Sequence, residues 1–207
     1  YYRRRAAGGV GLIITEGIRL PDPAAGYPAS VPTLAGDDVL AGWARVIQQV
    51  HAEGATIAAQ LWHQGVERRD DDGVQPVGPS GVDGLGHPRG RALRTDELTE
   101  IAQLFAASAA TARDLGFDAV EVHGAHGYLL DQFLWERTNR RTDGYGGTPA
   151  ARTRFPAEVV AAIRAAVGPD YPIIYRFSQW KGTDYAASIA ERPEQLQELL
   201  MPLVGAG

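Results

Sequence analysis

The sequence contains no cysteine. Disulfides and any cysteine-ligated metal or iron–sulfur cluster are therefore excluded within these 207 residues, and a reducing, cytoplasmic setting is expected. Strong charge of either sign is also missing. Twenty Lys and Arg stand against 25 Asp and Glu, a net charge of −5, which argues against a nucleic-acid surface. The cluster Arg3-Arg4-Arg5 reads as a solvated helix face. No run approaches the roughly 18 uninterrupted apolar residues of a membrane span, and no signal-peptide pattern follows the arginines. Neither end carries the signals of a domain end. The stretch from Tyr1 to Gly9 reads as the close of a helix, and Leu203 to Gly207 stops where a helix would hand over to a strand. Residues 1–207 are expected to be one partial domain, truncated at both ends.

What is present is alternation. Four apolar runs have strand character: Val10 to Glu16, Thr56 to Leu61, Ala119 to Val122 and Pro172 to Phe177. Each is followed by residues at helical spacing. The first stripe is Leu40, Trp43, Ile47 and Val50, closed by Gly54. The second is Leu98, Ile101, Leu104, Phe105 and Ala112, with Thr95 placed to cap it and Gly116 to end it. Phe155, Val159, Ile163 and Val167 form the third, stopped by Gly168-Pro169, and Leu196, Leu199, Leu200 and Leu203 the fourth, with Pro193 near its start. Strand–helix repetition gives a parallel sheet covered by helices. An open doubly wound sheet predicts a G-x-G-x-x-G turn after the first strand, but Gly17-Ile18-Arg19-Leu20-Pro21 stands there. A (β/α)8 TIM barrel predicts polar residues at the carboxyl ends of several strands, and these are present. Four units make about half of such a barrel, an α/β fold. The longest irregular stretch, Val66 to Arg94, leaves the carboxyl end of a strand, where the loops of a barrel's site are found.

Side chains two apart share a face of a strand. Thr56, Ala58, Gln60 and Trp62 fall on one face, as do Ala119, Glu121 and His123, and Ile174, Arg176 and Ser178; Gly17 is in step with Ile13 and Thr15. If these faces point inward, Gly17, Gln60, His123 and Arg176 converge at one rim. An amide, an imidazole and a guanidinium buried there without a ligand would each cost a few kcal/mol, and a flat polar ligand would satisfy them. Beyond the third strand stands His123-Gly124-Ala125-His126-Gly127-Tyr128. Two imidazoles three residues apart can donate to one oxygen if the glycines let the backbone turn, and a phenol two residues on can supply a proton. Other readings stay open at this point. A histidine at a strand end is commonly structural. His-x-x-His supplies two zinc ligands, but His51, His63 and His87 lack a supporting spacing, so no metal site is assigned. Glu121 is a base or a carboxylate paired with a neighbouring cation, and Arg176 a candidate for such pairing.

These residues resemble the old yellow enzyme family. The resemblance rests on Gly11-Leu12-Ile13-Ile14-Thr15-Glu16-Gly17, Gln60-Leu61-Trp62-His63-Gln64-Gly65, the run Asp118 to Leu130, Asn139-Arg140-Arg141-Thr142-Asp143-Gly144-Tyr145-Gly146-Gly147 and Tyr175-Arg176-Phe177-Ser178, in family order. It implies an FMN-dependent oxidoreductase in which NADH or NADPH reduces the flavin, and the reduced flavin passes hydride to the activated alkene of an α,β-unsaturated carbonyl compound. By the same resemblance, Gln60 and Arg176 lie at the flavin's pyrimidine edge and Gly17 leaves room for the ring. His123 and His126 bind the substrate carbonyl, Tyr128 protonates the α-carbon, and Trp62 lines the pocket. The family's first strand and its sixth to eighth strands, with the phosphate-binding segment, have no counterpart here. The stretch alone is therefore expected to bind FMN poorly. Alternatives are a dienoyl-CoA reductase or amine dehydrogenase-like member with an iron–sulfur cluster outside this stretch, and a non-catalytic fragment or binding module. The expected partner is a small unsaturated carbonyl compound, with no nucleic acid and no membrane; a homo-oligomer is compatible with the sequence.

Overall fold

A computed structural model describes residues 1–26, 31–69 and 72–207. Its helices are α1 (Tyr2–Ala7), α2 (Asp37–His51), α3 (Thr95–Leu115), α4 (Leu129–Leu134), α5 (Pro149–Val167) and α6 (Pro193–Ala206). The strands are β1 (Leu12–Arg19), β2 (Thr56–Trp62), β3 (Val77–Gly78), β4 (Arg91–Ala92), β5 (Ala119–Gly124), β6 (Ile173–Phe177), β7 (Trp180–Lys181) and β8 (Asp184–Ser188). The expected alternation is present: β1, β2, β5 and β6 form one parallel sheet in that order, joined through α2, α3 and α5. No helix among the described residues is long and apolar enough to cross a membrane.

The helix stripes do what their spacing predicts. Trp43, Ile47 and Val50 of α2, Leu98, Ile101 and Phe105 of α3, and Phe155, Val159 and Ile163 of α5 are buried. They meet Ile57 and Leu61 of β2 and Val120 and Val122 of β5 in one apolar cluster. Each such fully buried side chain contributes about 1.5–3 kcal/mol. Thr148 caps α5 by accepting the Ala151 N–H, and Gly116 ends α3 in the left-handed conformation at φ 98°. Thr95 does not cap α3. It is the first helical residue, preceded by Arg94, whose N–H donates to the Glu97 carboxylate at 2.7 Å; an acid in the first turn serves the free N–H groups better than a hydroxyl already inside the helix.

The cluster identifies the helix-facing side of the sheet, so the opposite face carries Ala58, Gln60 and Trp62, Ala119, Glu121 and His123, and Ile174 and Arg176, as parity predicts. β1 is different. It runs two residues later at its start and three later at its end than expected, and the register slips between Ile14 and Gly17: Ile14 lies opposite Ala58, and Gly17 opposite Gln60. Ile13, opposite Ile57, belongs to the helix-side cluster and does not share Gly17's face. A bulge, in which one extra residue lets the chain change face, brings Gly17 to the concave side. Thr15 stands in the gap, its hydroxyl accepting the Gln60 N–H at 3.0 Å.

The stretch from Val66 to Arg94 is mostly loop, tied together by the parallel pair of β3 and β4; Asp70 and Asp71, within it, lie outside the described residues. Besides β3 and β4, the short helix α4 after the histidine turn and the antiparallel hairpin of β7 and β8 after β6 have no counterpart in the sequence reading.

Candidate active site

The carboxyl ends of the four parallel strands bring the predicted residues together. Gly17, Gln60, Trp62, His123, His126 and Tyr128, with Glu16 and Val31, line one cavity of about 240 Å3. Arg176 sits beside it on β6, level with His123.

Glu121 organises the floor. It is 1% exposed, one residue pair below His123 on the same face of β5. Arg176 donates to it side-on, Nε to Oε1 at 2.8 Å and Nη2 to Oε2 at 3.0 Å, and Gln60 Nε2 donates to Oε1 at 2.6 Å. The carboxylate is therefore an anchor for two predicted ligand-binding side chains, and both of its oxygens are committed. Among the described residues nothing donates to Gln60 Oε1 and nothing accepts from Arg176 Nη1. An acceptor and a donor are thus left over at neighbouring strand ends, a pattern that complements an amide- or imide-like edge.

Above this floor stand four rings. The His123 and His126 rings are 5.0 Å apart at 82°, and His123 and Tyr128 are 5.2 Å apart. Trp62 meets Tyr128 edge-on at 5.1 Å. Trp62 also lies against Gly17, where an added Cβ would come within 3.1 Å of the indole, so the glycine lets strand and ring approach closely. His123 Nδ1 and Trp62 Nε1 are buried without a hydrogen-bond partner among the described residues. Burial, with the neighbouring His126 and Arg176, lowers the His123 pKa to about 4, so this imidazole is neutral at neutral pH and offers one N–H. Burial, and next the Glu67 carboxylate, hold the Tyr128 phenol above its ordinary value, which keeps its proton in place. The set is two imidazoles and a protonated phenol around one opening, suited to polarising a carbonyl and delivering a proton next to it.

The turn that presents His126 is unusual. His126 is the one non-glycine with positive φ among the described residues, at 63°, and Gly127 follows at 83°. The His126 N–H donates to Ser178 Oγ at 3.0 Å and the Gly127 N–H to Asp131 Oδ2 at 2.8 Å. Asp131 also receives Lys181 Nζ. Of these, Ser178 lies on the predicted inward face of β6, whereas no strand or helix spacing points to Asp131 or Lys181. The signal for Asp131 was a charge inside the apolar run Leu129-Leu130-Asp131-Gln132-Phe133-Leu134. The segment from Asp143 to Gly147, which by itself reads as a flexible turn, is held in place: Asn139 Nδ2 donates to Phe133 O and Tyr145 O, both at 2.8 Å, and Tyr145 is buried.

Known proteins share this arrangement of strands. A family model described as NADH:flavin oxidoreductase / NADH oxidase matches residues 1–203. A NADH oxidase of Thermoanaerobacter brockii is 44% identical over 182 residues, 86% of this chain and 28% of that protein. A putative 12-oxophytodienoate reductase 6 of Oryza sativa subsp. japonica is 38% identical over 207 residues, 95% of this chain and 51% of that protein. The structure of the old yellow enzyme homologue from Zymomonas mobilis superposes with a TM-score of 0.86 at 32% identity, covering 100% of this chain and 60% of that one. The chain thus spans about half the length, or less, of the curated relatives it matches here.

Proposed function

The chain belongs to the NADH:flavin oxidoreductase / NADH oxidase family, and from that premise we propose that the protein of which it forms part reduces the activated C=C bond of an α,β-unsaturated carbonyl compound. FMN and a nicotinamide reductant go with the family. The observation that carries the reading is the meeting of His123, His126 and Tyr128 around one cavity, above the Gln60–Glu121–Arg176 triad. The residues fit FMN on their own chemistry. The unused acceptor of Gln60 and the unused donor of Arg176 match the imide edge of a flavin, and Gly17 leaves a smooth wall beside it. When bound, FMN supplies hydride transfer from NADH or NADPH to the alkene.

The chain's residues do the rest. Arg176 brings positive charge to the pyrimidine edge, held by its bidentate pairing with Glu121. His123, neutral, donates its single N–H to the substrate carbonyl oxygen, and His126 donates a second hydrogen bond to the same atom. Two donors at that oxygen are stronger partners as negative charge accumulates there than in the ground state, which is how they would lower a barrier. Tyr128 passes its phenolic proton to the α-carbon. Trp62, edge-on to Tyr128, confines the substrate between them.

The test separates the two half-reactions. In the full-length protein, Tyr128→Phe is expected to slow alkene reduction about 100-fold or more, the usual scale of general acid catalysis, and to leave reduction of the flavin by NAD(P)H within about two-fold. Equal loss of both half-reactions in stopped-flow traces would remove Tyr128 from the proton-donor role. A second reading, a longer member of the family with a cysteine-ligated iron–sulfur cluster outside this stretch, has one observation in its favour. The NADH oxidase is the most identical of the relatives described above, yet only 28% of its length is matched. Iron content of the full-length protein distinguishes the two.

A further inference from the structure

The most enclosed ionisable pair on the described residues has no part in the chemistry above. Lys181 Nζ donates to Asp131 Oδ1, and both side chains are 1% exposed or less. Burying two ions costs several kcal/mol per ion, and their attraction offsets this only when the remaining valences are also satisfied. Apolar side chains of the same volume would often serve stability as well, so the pair points to a task other than stability.

Its contacts indicate that task. Asp131 Oδ2 accepts the Gly127 N–H at 2.8 Å, within the left-handed turn that carries His126. A non-glycine residue in this conformation is strained by about 1–2 kcal/mol and persists only where its surroundings impose it. Here they do so at three points. Besides the Asp131 bond, the His126 N–H donates to Ser178 Oγ, and Gln132 Nε2 donates to Gly127 O at 2.6 Å. Ser178 and Lys181 both follow β6, the strand that carries Arg176. The ion pair therefore bolts the His126 turn to the end of the neighbouring strand. We propose that the Lys181–Asp131 pair is the positioning element for His126, holding its ring where it converges with His123 on one ligand oxygen. The inference rests on the reading of His126 as a carbonyl donor.

The test is a mutant cycle in the full-length, FMN-loaded protein, with cyclohexanone as the probe and the flavin absorption spectrum as the binding readout. D131L/K181M removes the pair without stranding a charge. It is expected to weaken cyclohexanone binding roughly 3- to 10-fold, the worth of one hydrogen bond, while FMN affinity is unchanged. Added to H126A, the same double change is expected to cost less than about 2-fold, because it acts through a side chain that is no longer there. D131N/K181M, which replaces the ion pair by a neutral amide beside a thioether, is expected to show the same dependence on His126 and decides the matter if D131L/K181M does not accumulate as folded protein. Equal loss with and without His126, or no loss in either, would overturn the proposal. H126A alone reports on the underlying reading: parent-like cyclohexanone affinity would remove the carbonyl assignment. The pair is then judged by amide hydrogen exchange at Gly127, expected to accelerate roughly 10-fold in D131L/K181M as its hydrogen bond to Asp131 is lost. Unchanged exchange there would refute the positioning role by itself.

Discussion

His123 joins the site's chemistry to the protein's acid stability. Its ring is buried, with Nδ1 unpartnered among the described residues, and its pKa is lowered from 6.5 to about 4. The folded value lies below the unfolded one, so between about pH 6.5 and 4 the unfolded chain binds more protons, and stability falls as pH drops through that window. The whole span corresponds to about 3 kcal/mol. His123→Asn removes this titration. Between pH 7 and 4.5 the variant is expected to lose about 2 kcal/mol less than the parent in denaturant melts of the full-length protein, judged as a difference so that carboxylates elsewhere cancel. Identical pH profiles would mean that the folded ring takes up its proton as readily as the unfolded one, and that burial does not lower its pKa. The imidazoles, the phenol and Gln60 were legible in the sequence because each is a strand-end or turn residue of a type with evident chemistry. Glu121 was legible only as one of two options, since parity put it inward but could not show that Arg176 and Gln60 both reach it. Asp131 and Lys181 were not legible as partners, because fifty positions separate them and the hairpin that brings them together follows no helix or strand period.

At the scale of elements, the sheet followed from alternation and three of its four inner faces from parity. The exception is instructive. A bulge changes face without changing composition, so Ile13 and Gly17, an even number of residues apart, end on opposite sides of β1. Gly17 must then lie close to Trp62, which fixes the edge of the cavity. Gly17→Ala places a methyl carbon 3.1 Å from the indole. Overpacking of this kind costs about 1–3 kcal/mol, and here it bears on Trp62, the edge-on neighbour of Tyr128 at 5.1 Å. The expected result is a lowered denaturation midpoint together with a changed tryptophan emission maximum. A variant with the parent's midpoint and emission would mean that β1 relaxes at the bulge and that the close approach is not required.

At the scale of the molecule, burial across the sheet is uneven. All six residues of β5 are buried, whereas none of β6 is, and Leu12 at the start of β1 is 48% exposed. β1 and β6 are the two edges of the four-stranded sheet; on its outer side β1 meets the segment after it at Arg19, whose N–H donates to Pro32 O. In a closed barrel further strands meet these edges, and an open apolar edge is a template for association. The concave face carries the same asymmetry, since Glu121 is enclosed while the Arg176 side chain it holds is 40% exposed. The cavity is lined from β1, β2 and the end of β5 with its following turn, and a barrel's phosphate site is expected beyond β6. Residues 1–207 produced alone are therefore expected to associate, to unfold with low cooperativity, and to bind FMN at least roughly 100-fold more weakly than the full-length protein, the equivalent of one or two hydrogen bonds to a charged group. Sedimentation, denaturant titration and quenching of FMN fluorescence read the three quantities. A monomeric, cooperatively folded product that retains the flavin would show that the four-stranded sheet is self-sufficient, and would place the grip on the cofactor in the Gln60–Glu121–Arg176 floor instead of the strands that close the barrel.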